Sequence, residues 1–209
     1  MTSRREFLQI GIAASALPLA AQAARAAGLD GLGDAASAGM PSLPLYKVVY
    51  DTRFAASVAF GRRAASLGAS VHAFQGDMTR LWFDDIYHRW NESPVAIAGL
   101  TAQGPLFCFE RLAWDQGLRV VFRAEHGATE HVLSGPESLL NEARDALASA
   151  DWAAEMATVV TRCPSGRAEI RTAAVGCARE SGLSPTDEPL YSWVIAPAAS
   201  AARTASIAC

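Results

Sequence analysis

Lysine is all but missing from this chain: Lys47 is the single lysine, and every other basic side chain is arginine. With the heavy alanine usage, this reflects genome composition rather than a binding function. Positive charge is not in excess either. Lys and Arg total 18 against 21 Asp and Glu, a net charge of −3. That balance excludes the electrostatic footprint that nucleic acid or anionic lipid requires. The four cysteines form no Cys-x-x-Cys and no Cys-x-x-Cys-His, which excludes covalent haem and the common cluster motifs. No Gly-x-Ser-x-Gly elbow is present, against an ordinary serine hydrolase. The first strand signal is followed by Asp-Thr-Arg-Phe instead of Gly-x-Gly-x-x-Gly, and no Gly-rich loop closes on Lys-Ser/Thr, so both nucleotide fingerprints are missing. No cofactor is expected. Long apolar runs are lacking as well. Residues 10–24 are mostly alanine, are broken by Pro18 and fall short of the roughly 20 residues a spanning helix needs, so no stable membrane anchor is expected. What remains is a chain of 209 residues, 51% hydrophobic, long enough for one ordinary domain with a real core.

The N-terminus carries the most specific pattern. Ser3-Arg4-Arg5-Glu6-Phe7-Leu8 precedes the alanine-rich run, and Ala21-Gln22-Ala23 and Ala24-Arg25-Ala26 are both small-x-small cleavage sites. This segment resembles the twin-arginine (Tat) export signal, Ser-Arg-Arg-x-Phe-Leu-Lys, and departs from it only at Gln9. The basic Arg25 after the apolar run is similar to the same class. The resemblance covers the signal alone. It implies recognition by the Tat translocase through Arg4, Arg5, Phe7 and Leu8, cleavage, and delivery of a folded protein to the periplasm, often with a partner or a loaded cofactor. No cysteine follows the apolar run, so no lipid-modified N-terminus is expected. Removing residues 1–26 leaves 15 basic against 20 acidic residues, a net charge of −5.

Four regions follow from composition: a signal peptide over 1–26, a Gly/Ala/Ser/Pro linker over 27–44, an α/β domain over 45–195 and a disordered Ala/Ser-rich tail over 196–209. Within the domain, strand signals at 46–50, 70–74, 95–98 and 118–123 alternate with helical spacing at 54–67, 79–90 and 105–116. Gly68 and Gly117 stop two of the helices, and Asp77 or Thr79 caps another. Strict alternation predicts an α/β fold with a mainly parallel sheet built from β-α-β units. A hairpin about 126–129, helices at 136–150 and 151–161 and a last strand at 191–195 complete it. The stretch between Cys163 and Cys177 reads as irregular chain.

In open parallel sheets ligands bind beyond the carboxyl ends of the strands. Asp51, Asp77, Thr101 and His126 follow strands one to four and form a candidate catalytic set for acid–base or nucleophilic work. The same residues also read as helix caps and turn formers. Gly99, Thr101 and Gly104 join a strand to a helix start and form a candidate anion site; a plain tight turn is the simpler reading. Asp84 and His88 stand four apart on a helix, a spacing that can hold a metal but more often marks a solvated ion pair; no metal is expected. Trp82, Ile86 and Trp90 recur every fourth residue, as a core stripe or a partner-facing one. Cys108 reads as a core thiol. Cys163 and Cys177 are the natural disulfide pair of an oxidising compartment.

Two functions fit. One is a non-catalytic accessory or small subunit, exported folded beside a larger oxidoreductase. The other is a small periplasmic enzyme, or an anion-binding protein, using the strand-end Asp/Thr/His edge.

Overall fold

The computed structural model describes residues 42–165, 169–177 and 188–198. The expected signal peptide, the linker up to residue 41, the tail from residue 199 and Cys209 lie outside them.

The order is β1 (Leu45–Asp51), α1 (Ala55–Ser66), β2 (Val71–Phe74), α2 (Thr79–Leu81), a π-helical turn (Trp82–Ile86), α3 (Tyr87–Glu92), β3 (Ala96–Ala102) and α4 (Gln103–Asp115). It continues with β4 (Leu118–His126), β5 (Glu130–Gly135), α5 (Glu137–Leu147), α6 (Trp152–Thr161), β6 (Arg171–Gly176) and β7 (Leu190–Pro197). Gly68 and Gly117 stand at φ +85° and +71° just beyond α1 and α4, a backbone state that glycine enters without strain. The helical run from α2 to α3 holds Trp82, Ile86 and Trp90 in the core. A spacing of four exceeds the 3.6 residues of an α-helical turn, and the wider π turn keeps these three side chains on one face.

The seven strands among the described residues join one sheet in the order β2-β1-β3-β7-β4-β5-β6. The expectation of a mainly parallel sheet is corrected here. Only β1–β2 and β1–β3 pair parallel; the other four pairs are antiparallel. The cause is β7, which inserts between β3 and β4 and runs against both. It is buried from Leu190 to Ala196, as a strand covered on both faces must be. β1, β3 and β4 still point the same way, so their carboxyl ends share an edge. β6 occupies the far end of the sheet, where irregular chain was expected; its short side chains leave it largely exposed.

Helices cover both faces. One layer joins Phe60 and Ala64 of α1 to Leu139, Leu140, Met156 and Val160 of α5 and α6 over Val48, Leu100, Phe122 and Leu133. The other packs Trp82, Ile86 and Trp90 with Leu106, Phe109 and Ala113 of α4 over Val49, Ile97, Leu118 and Trp193. The register of β4 against β7 shifts between Val120 and Phe122. Leu118 therefore faces the second layer and Phe122 the first. That one extra residue turns every later side chain of β4 over.

Leu43 donates its backbone N–H to Cys163, and Ser42 bridges Pro164, so residues 42–44 belong to the domain. At the other end β7 continues to Pro197. Among the described residues, no helix is long and apolar enough to cross a membrane.

Candidate functional site

Asp51 ends β1 with its side chain fully buried. Its carboxylate accepts from the Arg53 guanidinium, at 2.6 Å from Nη2 to Oδ2 and 3.1 Å from Nε to Oδ1, and from the backbone N–H groups of Arg53 and Gly76. Gly76, at φ +74°, lies under the guanidinium; a Cβ there would stand 3.1 Å from Arg53 Cζ. Asp51 thus ties the end of β1 to the end of β2. Asp77 is exposed and accepts from the Thr79 backbone N–H at 2.8 Å. Hydrogen bonds from the Thr79 side chain and then its backbone hold the Asp77 carboxyl below the usual range; Asp77 closes a local turn just ahead of the helix, whose N-cap position is Met78.

Thr101 is buried on the face of Val49 and Trp193. Its hydroxyl accepts from the Trp193 indole at 3.1 Å and donates to the Ala102 carbonyl at 3.0 Å. His126 is equally buried but, through the shift in β4, faces the other layer, where its ring lies 4.3 Å from that of Trp152. The four-residue set is therefore not assembled. Asp51 and Asp77 are engaged locally, and the sheet itself separates Thr101 from His126.

The anion set is not assembled either. Gly99 lies inside the sheet, where a Cβ would meet Val49 O at 2.7 Å and Trp193 Cζ2 at 2.8 Å. Of Gly99, Thr101 and Gly104, only Gly104 is exposed. Gly99→Ala is accordingly expected to cost about 1–3 kcal/mol of stability by overpacking. Urea unfolding measures it; an unchanged midpoint would mean that the close approach of Trp193 is not real. Asp84 and His88 are both exposed, and no metal-holding cluster of three or more side chains occurs among the described residues.

Cys163 and Cys177 are free thiols. Cys163 accompanies Leu43 near the start of β1, and Cys177 follows β6 beside Thr129, at the edge where β4 ends. The expected disulfide is not formed, because the seven-residue length of β1, roughly 20 Å, separates the two edges, against the 7 Å or less between Cα atoms that a bridge needs. Burial pushes the Cys163 thiol up to about 11. Cys108, expected in the core, is exposed: the helical period turns Leu106 and Phe109 inward and leaves Phe107 and Cys108 outside.

What His126 does contact is a chain of polar side chains that sequence reasoning missed. Its Nε2 lies 2.7 Å from Ser192 Oγ and its Nδ1 3.1 Å from His131 Nδ1. The Nε2 of His131 lies 3.3 Å from Cys177 Sγ. Ser192, His126 and His131 are buried, and Cys177 is half-buried. Burial lowers both histidines, His126 far below its ordinary value with His131 adding to it. Burial also raises the Cys177 thiol, and the Glu130 carboxylate adds to that. The resting cluster is therefore neutral: two imidazoles and a thiol. The pairing of His126 with His131 across the β4–β5 turn left one signal in the sequence, two histidines flanking a Gly-containing hairpin.

A second cluster clamps the π turn to the sheet. Asp85 accepts from Lys47 and, at 2.5 Å, from the Tyr46 hydroxyl. Burial works to raise the Asp85 carboxyl, but those two bonds outweigh it and hold it low. No protein-family model, curated protein or solved structure matches this chain.

Proposed function

We propose that this chain is exported folded through the Tat pathway and serves in the periplasm as an accessory or small subunit of a larger oxidoreductase, with no part in the redox step itself. The observation that carries the docking part is a set of aromatic side chains left exposed on the helices of one layer. Phe83 and Phe107 are each 59% exposed, Tyr87 44% and Trp114 43%, while Trp82, Trp90 and Phe109 beside them are buried. Large apolar side chains held in water on a protein with a full core mark a surface for another protein. Phe83 and Tyr87 are one turn apart on the α2–α3 run, and Phe107 and Trp114 two turns apart on α4. The partner-facing stripe is thus a different set from Trp82, Ile86 and Trp90, which are core. The export part rests on the resemblance of residues 3–8 to the Tat signal.

Fractionation tests both parts. Arg4→Lys with Arg5→Lys is expected to retain the protein in the cytoplasm, since lysine lacks the paired guanidinium geometry. Undiminished periplasmic protein would sink the export reading. In periplasmic extracts the wild-type chain is expected to run in size-exclusion chromatography as a complex with a larger subunit. Phe83→Ser with Phe107→Ser is expected to release it as a monomer with an unchanged melting temperature. A wild-type chain that runs as a free monomer would sink the subunit reading.

A further inference from the structure

The polar chain at the β4–β5 edge has the connectivity of a nucleophile, a base and an orienting group, and it makes no part of the docking surface. Cys177 Sγ is 3.3 Å from His131 Nε2, and His131 Nδ1 is 3.1 Å from His126 Nδ1. Only one proton fits between two Nδ1 atoms that face each other, so one ring donates and the other accepts. With His131 as donor, its Nε2 carries the lone pair that faces the Cys177 thiol. His126 then has its proton on Nε2, directed at Ser192 Oγ 2.7 Å away, which can accept it. An imidazolium formed on His131 keeps both of its N–H bonds satisfied, one by His126 Nδ1 and one by the sulfur. Trp152 holds the rings in place, 4.3 Å from His126 and 5.8 Å from His131 between ring centroids. Three of the four members are buried and the fourth, the nucleophile, is half-buried, so the chain runs from the core outward.

We propose that Cys177 is a base-assisted nucleophile that takes an acyl group from small activated donors, thioesters or aryl esters, with His131 as its general base and His126 and Ser192 as positioning residues. Sγ attacks the carbonyl carbon while its proton passes to His131 Nε2. The bond from that carbon to the leaving group breaks, and the leaving group departs with the electron pair; His131 gives up its proton to it, directly or through solvent, and is neutral again. Cys177 is left as a thioester. Water, losing its proton to His131, attacks the thioester carbonyl; the acid is released and the thiol restored. A resting thiol beside a neutral imidazole suits this sequence, because the base is free to accept when the donor arrives.

The test uses the full native chain and 4-nitrophenyl acetate at neutral pH. Peptide mapping compares acetyl label on Cys177 with that on Cys108, which is exposed on α4 and serves as an unassisted thiol. Cys177 is expected to label about 100-fold faster, the range of general-base assistance, and to lose that lead when the chain is unfolded in urea. His131→Gln is expected to remove the lead. Ser192→Ala is expected to slow labelling and to displace its pH profile, which a merely structural role would not do. Equal labelling of Cys177 and Cys108 in the native chain would overturn the proposal. So would an undiminished rate in a folded His131→Gln chain. If that variant does not fold, the native-to-unfolded ratio decides alone. No partner is needed, so a failure here leaves the subunit reading untouched.

Discussion

Trp193→Ala is expected to lower the unfolding free energy by about 3–5 kcal/mol, the range for emptying a buried aromatic site. Trp193 is fully buried at the centre of β7, and its ring lies 5.5 Å from that of Phe109 on α4. Its indole N–H donates to Thr101 on β3, and Gly99 is bare so that the ring can lie against that strand. One side chain therefore joins β7, β3 and α4. Removing it leaves a cavity that the surrounding sheet cannot close, and it leaves the Thr101 hydroxyl without its donor. A typical domain has only about 5–15 kcal/mol in all, so the variant should unfold at a much lower urea concentration. Trp114→Ala, at a half-exposed site on α4, should shift the midpoint little. A loss below about 1 kcal/mol for Trp193→Ala would contradict the packing.

Acid is the second large effect. His126 and His131 both have folded-state values lowered by burial. The unfolded chain binds a proton on each near the ordinary histidine value of about 6.5, and the folded chain resists both. Unfolding then takes up protons, so stability is full above that value and falls as pH drops below it. Between pH 6.5 and 5 the loss from the pair is at most about 4 kcal/mol, with a limiting slope of about 1.4 kcal/mol per pH unit for each proton. His72 is lowered by burial and by Lys47 and acts in the same direction. The carboxyls of Asp77 and Asp85 are held low, so their losses come in a separate window below about pH 4. Melting temperatures across pH 7.5 to 4.5 check this, and His131→Gln should flatten the upper part of the curve. A wild-type melting temperature that stays constant from pH 7 to 5 would contradict the buried neutral pair.

The first half of the fold was legible because it is local. Alternating apolar runs and helical spacing placed β1 to α4 to within about two residues, except that β3 runs on to Ala102 through residues that read as a turn, and Gly68 and Gly117 marked two helix ends through their positive φ. The sheet's order was not legible, because nothing in residues 190–197 states which strands they pair with. β6 was missed because it is a short edge strand in which only Ala173 and Val175 turn toward the core, too little alternation to read from the sequence. His126 was singled out for its place at a strand end, yet its partners depend on two non-local facts. β7 must lie beside β4 to bring Ser192, and the shift after Val120 must turn the imidazole to the Trp152 side. Counting by twos from Leu118 would have put His126 on the opposite face.

The insertion of β7 also sets an order of events during synthesis. β1 to β3 leave the ribosome with β3 open along one side, and β4 to β6 follow with β4 open along one side. Neither piece can be sealed until residues 190–197 emerge and fill the gap, with more than 60 residues between β4 and its partner. A nascent chain halted before that point presents two raw apolar edges, the arrangement most prone to pair with other chains. β7 is a keystone, and until it is in place β3 and β4 each keep an unpaired edge.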